Sequence, residues 1–415
     1  MPLLKSWVPG ANDPETEFPL NNLPYGVFSP VIGPPRCGVA IGDMVLDVAA
    51  MEAAGLLSPG PAPVLQGASW NAFMELGPRL WEAFRITLMG YLTEESELRG
   101  MVERFLHRRD AVRLHMPFAV AEFTDFYAGR HHAENVGTML RGAENALPPN
   151  WLHMPVGYNG RASSVVVSGT DIRRPRGQIK PVGAEAPVFA PTRRFDFELE
   201  LGAVVGQPST GVVGVAQAEA MIFGHVLLND WSARDVQAWE YQPLGPFQAK
   251  AAATTISPWI VPAAALAPFR VPAPPRAVPL LDYIADAGPM HLDIALSVAL
   301  APEGAPEAVI ARTTARELYY SAAQQLAHHT ASGCPMRVGD LLGSGTISGP
   351  TPDSRGSLLE LAWGGKAPLA LPGGLTRAFV EDGDTVTLRG IAQGRGYRIG
   401  FGDCRGTVRP ALTAG

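Results

Sequence analysis

Apolar and polar positions follow two rhythms along this chain. Over residues 27–48 the stretch VFSPVIGPPRCGVAIGDMVLDV breaks apolar runs with Gly and Pro, which predicts a few short antiparallel strands. Over residues 69–110 the apolar positions Trp70, Phe73, Met74, Leu80, Trp81, Phe84, Met89 and Leu92 recur at helical intervals and end in the charged run MVERFLHRRD. That period predicts one or two helices. Near Pro117 the texture changes to segments dense in polar residues that are not charge runs, so a boundary is expected there, with domains 1–117 and 118–415. Strand-like segments dominate beyond it: SSVVVSGT, FDFELELGAVVG, HLDIALSVAL, DLLGSGTISG, SLLELAW and DTVTLRGIAQG. Two helical stretches interrupt them, Val215–Met221 and a longer one over 315–332. No repeat recurs at a fixed period. The expected fold is mainly β, mixed α+β, with a large β roll or sandwich closed on itself rather than a parallel βαβ array.

Bulk composition narrows the classes. A chain of 415 residues exceeds the roughly 250–300 at which a single core stops growing, so two domains of unequal size are expected. Only 17% of residues are charged, below the usual ~25%, which commits much of the chain to core or interface. The 45 Gly and 39 Pro are scattered among apolar residues, as short strands and tight turns require. A net charge of -6 gives no general attraction for a phosphate backbone and argues against nucleic acid as a partner. The opening MPLLKSWVPGANDPETEF has no basic-then-apolar leader, and the apolar stretch over 258–269 is broken by Pro258, Pro262 and Pro268. Neither secretion nor membrane insertion is expected. Cys37, Cys334 and Cys404 are odd in number and far apart, which suits a reducing compartment, the cytoplasm, rather than a disulfide framework.

Candidate chemistry begins with RRFDFELELG. As a strand it places Asp196, Glu198 and Glu200 on one face and Phe195, Phe197, Leu199 and Leu201 on the other. Adjacent carboxylates repel, so the face is either solvated or neutralised by a hard divalent cation that prefers oxygen ligands. Further acids are Asp125, in EFTDFYAGRHHAENVG, and Asp230, in HVLLNDWSARDVQ, where a strand-like run meets a helix start. For Asp230 a helix N-cap and a ligand both remain open. Four carboxylates around one divalent cation leave about two excess negative charges, which a buried site holds only beside cations. Arg234, one helical turn after Asp230, and Lys250, the lone charge over 241–266, can supply them, although an isolated lysine is often a surface residue. The pairs His131, His132 and His328, His329 point to opposite faces if extended, which disfavours zinc. His132 can act as a general base if an acid orients it. Glu360, in SLLELAW, is either a buried carboxylate needing a partner or an edge charge facing water. GSGTISG and GRGYRIG fit neither a dinucleotide nor a phosphate loop, and GTISG does not fit a nucleophile elbow.

Long blocks extend these points: FPLNNLPYGVFS, FTDFYAGRHHAENVG, NALPPNWLHMPVGYNGRASSVVVSGT, NDWSARDVQAWEYQPLGPF, TTISPWIVP, GDLLGSGTISGP and GYRIGFGDC. Through them the sequence closely resembles the fumarylacetoacetase family. The resemblance implies hydrolysis of the carbon-carbon bond of 4-fumarylacetoacetate to fumarate and acetoacetate, the last step of tyrosine and phenylalanine (homogentisate) catabolism. It implies a small N-terminal SH3-like barrel, a β-roll catalytic domain and a homodimer acting on a small diketo acid. Asp125, Glu198, Glu200 and Asp230 match the metal ligands, for Ca2+ or Mg2+, and Lys250 with Thr254 matches a second, structural magnesium position. His132 matches the water-activating base and Glu360 its partner acid. Arg234, Gln237 and Lys250 match groups that stabilise the leaving carbanion and oxyanion. Tyr127, Arg141, Tyr158, Tyr241 and Thr346, with Arg234 and Gln237, match residues that hold the substrate. Ala251, Ala252 and Ala253 depart from the bulkier or polar residues relatives often carry there. Decarboxylases, hydratases and acylpyruvate hydrolases of the wider superfamily share the acidic triplet, but the region before Pro117 and the His131–His132 pair favour the hydrolase. A calcium-stabilised binding protein would leave Lys250 and His132 without purpose.

Overall fold

The computed structural model describes residues 2–412. The strand Ile222–Asp230 organises it. All nine of its residues, IFGHVLLND, are buried, so both its faces are covered. The pleat sends Val226 and Leu228 into one apolar core and Leu227 into another. The first core gathers Tyr25, Trp70, Phe73, Phe84 and Phe223, with the Tyr25 and Phe223 rings stacked at 5.2 Å. The second lies between this sheet and a six-stranded sheet, and includes Leu199, Leu201, Val298, Val386 and Leu388.

The larger sheet has 13 strands, and its main path runs from Leu106–Arg108 through Met44–Leu46, Arg36–Ile41, Tyr25–Ser29, Trp259–Pro262, Ile222–Asp230, Leu199–Val205, Leu341–Gly343 and Phe123–Phe126 to Gly157–Asn159. The short strands expected over 27–48 are therefore present, but they form one arm of a continuous open sheet. Among the described residues no closed barrel is found. One edge of Tyr25–Ser29 is shared between Arg113–His115 and Trp259–Pro262, so its pairing leads into the rest of the sheet instead of back into a ring. The fold is strand-rich and mixed.

The helical rhythm over 69–110 becomes Asn71–Met74, Pro78–Leu92 and Arg99–Val102. In Pro78–Leu92 the buried Phe84, Leu88 and Leu92 recur every fourth residue, the spacing of one helix face. Val215–Met221 forms as expected. The stretch over 315–332 divides into a 3-10 turn, Ala315–Glu317, and a helix, Ala322–Thr330, because Ser321 and Gln324 form a capping box that starts the helix afresh. SLLELAW is not a strand: Leu358–Leu361 is a helical turn, with the Ser357 hydroxyl accepting from the Glu360 amide. FDFELELG is also not one uninterrupted strand. Phe195–Asp196 pairs with Ser232–Ala233, and pairing of Leu199–Val205 with Ile222–Asp230 begins only at Leu199. Among the described residues no helix is long and apolar enough to cross a membrane.

On the opposite side of Leu199–Val205 from Glu200, a cavity of about 40 Å³ is lined by Leu201, Ala203, His225, His291 and Gln325. Burial, reinforced by the charge of Arg270, pushes His225 down from 6.5 to about 4. The unfolded chain therefore binds the extra proton between these values. His225 contributes its full stabilisation above about pH 6.5 and loses it as the pH falls towards about 4. Urea unfolding between pH 7 and 4.5 should show a decline that His225→Leu flattens, of up to about 3 kcal/mol if this histidine dominates. An identical slope in the variant would remove His225 as the cause.

Candidate active site

Adjacent strands bring four carboxylates to one end of the large sheet. Phe123–Phe126 carries Asp125, Leu199–Val205 carries Glu200, and Ile222–Asp230 ends in Asp230. Leu341–Gly343 runs between the first two, with Gly343 opposite Asp125 on one side and Gly202 on the other. A Cβ at Gly343 would lie 2.6 Å from Asp125 Oδ1 and 3.0 Å from Glu200 Oε2, so only glycine leaves these carboxylates room. Glu198 sits just before its strand, its carbonyl accepting from the Asp230 amide at 3.2 Å and its amide donating to Asn229 Oδ1 at 3.0 Å. One oxygen from each of Asp125, Glu198, Glu200 and Asp230 lies within 4.8 Å of all the others. All four residues are buried, which excludes the solvated-face alternative. Asp230 is no N-cap, since the next helix, Arg234–Glu240, has Ala233 at that position.

Two cations meet the cluster. Lys250, buried rather than on the surface, directs Nζ to Glu198 Oε2 and to Asp230 Oδ2, the latter at 2.5 Å. Arg234 opens its helix rather than following Asp230 along it. Its Nε donates to Asp196 Oδ2 at 2.8 Å, and its terminal NH2 lies 2.7 Å from Glu198 Oε1 as an ion pair outside hydrogen-bond geometry. Burial works to raise the Glu198 carboxyl, but Arg234 and Lys250 outweigh it and hold the group far below the ordinary range. The other three are held above that range, Glu200 and Asp230 strongly, by burial and by their carboxylate neighbours. Asp125 Oδ1, Glu200 Oε1 and Asp230 Oδ1 are buried without a hydrogen-bond partner among the described residues. An all-oxygen donor set with surplus negative charge fits a hard divalent cation. The Tyr158 hydroxyl reaches the same cluster, 3.0 Å from Asp125 Oδ2 and 3.1 Å from Asp230 Oδ2.

A histidine borders the same cluster. His131 and His132 lie on a helix, Arg130–Arg141, not on an extended segment, and they diverge there. His131 turns to Glu317 at 3.2 Å, while His132 Nδ1 donates to Glu360 Oε2 at 2.6 Å. The second nitrogen of His132, Nε2, then faces Glu198 Oε1 at 3.8 Å. Glu360 also accepts from Asn135 at 2.8 Å, Ser348 at 3.0 Å and Ser357 at 2.7 Å. Burial opposes its ionisation, but His132, Asn135 and Ser357 outweigh it and hold the carboxyl below its ordinary range. A carboxylate so fully bonded fixes the ring and its tautomer.

The remaining expected residues divide into two groups. Gln237 accepts from Arg234 at 3.2 Å, Thr254 pairs with Asp230 in register, and the Tyr127 ring meets His132 edge-on at 5.4 Å. Thr346 and Thr254 are buried, and neither hydroxyl has a hydrogen-bond partner among the described residues. Among the described residues Arg141 and Tyr241 make no hydrogen bond to the carboxylates. Arg141 is exposed and donates to the carbonyls of Asn145 and Ala146 at 3.0 and 2.7 Å, and Tyr241 is 37% exposed. Asn135, Ser348 and Ser357 were not anticipated. The spacing Ser357-x-x-Glu360 was a readable capping signal, and Asn135 lies three residues after His132 on the same helix face.

A strand-rich scaffold gathers buried acids, buried cations and an acid-oriented imidazole at one sheet end, a donor set compatible with a divalent metal in a hydrolase. Residues 122–409 match the family described as fumarylacetoacetate (FAA) hydrolase C-terminal, and residues 21–117 match fumarylacetoacetase N-terminal. The chain is 48% identical over 423 residues to the fumarylacetoacetase of Arabidopsis thaliana, covering 99% of this chain and 100% of that protein. Against the fumarylacetoacetase of Homo sapiens it is 48% identical over 424 residues, covering 98% and 99%. Its fold matches that of a fumarylacetoacetate hydrolase from Exiguobacterium antarcticum with a TM-score of 0.53 at 16% identity, covering 94% of this chain and 99% of that one. The chain belongs to the fumarylacetoacetate hydrolase family.

Proposed function

We infer that the chain hydrolyses the carbon-carbon bond of 4-fumarylacetoacetate, releasing fumarate and acetoacetate. The observation that carries this reading is the His132–Glu360 pair, 2.6 Å apart, directed at a carboxylate cluster that also binds Arg234 and Lys250. His132 Nε2 takes a proton from water, and the hydroxide equivalent adds to the carbonyl next to the fumaryl double bond. Glu360 steadies the imidazolium that results. Collapse breaks the bond to the adjacent methylene, and the electron pair leaves as the acetoacetate carbanion, delocalised onto its own keto oxygen. Arg234, Gln237 and Lys250 face the developing charge, and proton return to the methylene completes acetoacetate. A divalent cation held by Asp125, Glu198, Glu200 and Asp230 would supply Lewis-acid polarisation of the diketone oxygens, and both Ca2+ and Mg2+ suit these ligands.

Tyr127, Tyr158 and Thr346 are proposed to hold the substrate's oxygens, and Arg141 and Tyr241 its outer carboxylate. A second, structural magnesium is proposed at Lys250 and Thr254. The Lys250 ammonium is committed to Glu198 and Asp230, so its share there would be the main-chain carbonyl. With this reading go two domains meeting at Pro117, a homodimer, and a place in tyrosine catabolism in the cytoplasm.

Incubation with fumarylacetoacetate should show a fall in diketone absorbance that a strong chelator abolishes and added Mg2+ or Ca2+ restores. No turnover with the cation restored would sink the assignment. Turnover of oxaloacetate instead would move the chain to the decarboxylases.

A further inference from the structure

Asp196 shares the acidic face of FDFELE yet lies outside the four-carboxylate cluster. It is fully buried, and its contacts run to two separate parts of the site. Oδ2 accepts from Arg234 Nε at 2.8 Å and from the Leu359 amide at 3.1 Å. Oδ1 accepts from the Leu358 amide at 2.8 Å and from the Phe197 amide at 2.9 Å. Leu358 and Leu359 open the helical turn that carries Glu360.

We propose that Asp196 is a positioning residue that sets Arg234 and the His132–Glu360 pair in register with each other. With four donors on two oxygens, this carboxylate has no free lone pair in which to shift. Its charge is balanced by Arg234, which would otherwise be drawn wholly towards Glu198 and the cation ligands. The same carboxylate fixes the first turn of Leu358–Leu361, and so the point from which Glu360 meets His132. Cation-side and base-side groups act on the same substrate atoms in succession. A displacement of about 1 Å in either costs on the order of 10²-fold in rate. Asp196 itself touches no substrate.

This inference rests on the hydrolase reading, so the wild-type rate on fumarylacetoacetate is the control. An inert wild-type protein would refute that reading, whereas a working enzyme isolates the role of Asp196. D196N keeps the size of the side chain but turns an amide donor or a neutral acceptor towards Arg234. Its kcat should fall about 10²-fold at saturating Mg2+, a loss beyond any weakening of calorimetric Mg2+ affinity as Arg234 turns towards Glu198. The D196N loss should also shrink in an Arg234→Gln background and, separately, in a Glu360→Gln background, since each removes one route through which Asp196 acts. A merely structural residue would lower Tm and show the same fold loss in every background. If D196N fails to fold, D196E retains the charge on a longer arm and should lose at least about tenfold in kcat. A kcat within about twofold of wild type in the folded variant, or an undiminished loss in both backgrounds, would overturn the proposal.

Discussion

His132→Ala should lower kcat for fumarylacetoacetate by about 10²- to 10⁴-fold, the usual worth of a positioned general base. Calcium or magnesium binding, measured by calorimetry, should stay within about threefold. The separation follows from where the ring nitrogens point. Nδ1 is committed to Glu360 at 2.6 Å, and Nε2 stands 3.8 Å from Glu198 Oε1, a carboxylate already occupied by Lys250 and Arg234. The imidazole therefore borders the cation ligands without completing them. Removing it leaves Glu360 with three donors, Asn135, Ser348 and Ser357, so the turn Leu358–Leu361 keeps its place. A parallel loss of metal affinity would make His132 a ligand, and an unchanged kcat would remove it as the base.

The parts of this site that follow a local period were legible in the sequence. Glu198 and Glu200 on one side of a strand, with Leu199 and Leu201 on the other, is an alternation any extended segment must show. Their burial was not legible. It depends on Ile222–Asp230 and Leu341–Gly343 flanking the strand, and the second of these, more than a hundred residues further along the chain, leaves no local trace of its pairing. The same limit applied to His132 and Glu360, 228 positions apart and 2.6 Å distant in space. Family resemblance brought them together where spacing could not. SLLELAW misled because its apolar run outweighed Ser357-x-x-Glu360, in which the Ser357 hydroxyl accepts from the Glu360 amide and so starts a helical turn. The N-terminal SH3-like barrel came from the resemblance alone, and no closed ring is found among the described residues, because Tyr25–Ser29 gives part of one edge to Trp259–Pro262, far along the chain.

Lys250→Met should separate charge balance from catalysis, with effects of opposite sign. Burial alone would lower the Lys250 ammonium, but Asp230 and Glu198 outweigh it and hold its pKa above the ordinary lysine range, so the group is a permanent cation beside the carboxylates. Methionine fills similar volume and leaves Glu198 and Asp230 without this partner. The metal-free variant should lose about 3–5 kcal/mol of stability, the cost of stranding buried charge. Removing a cation from beside the cluster also removes repulsion against a divalent ion, so Mg2+ or Ca2+ should bind more tightly and recover most of the loss in Tm. Turnover should nevertheless fall by about 10²- to 10³-fold, because no donor replaces the ammonium where negative charge develops. Thermal melts with and without the cation, set against kcat, read both signs. Weaker cation binding would mean that the lysine arranges the ligands rather than offsetting their charge. A near-normal kcat would leave stabilisation of the leaving group to Arg234 and Gln237 alone.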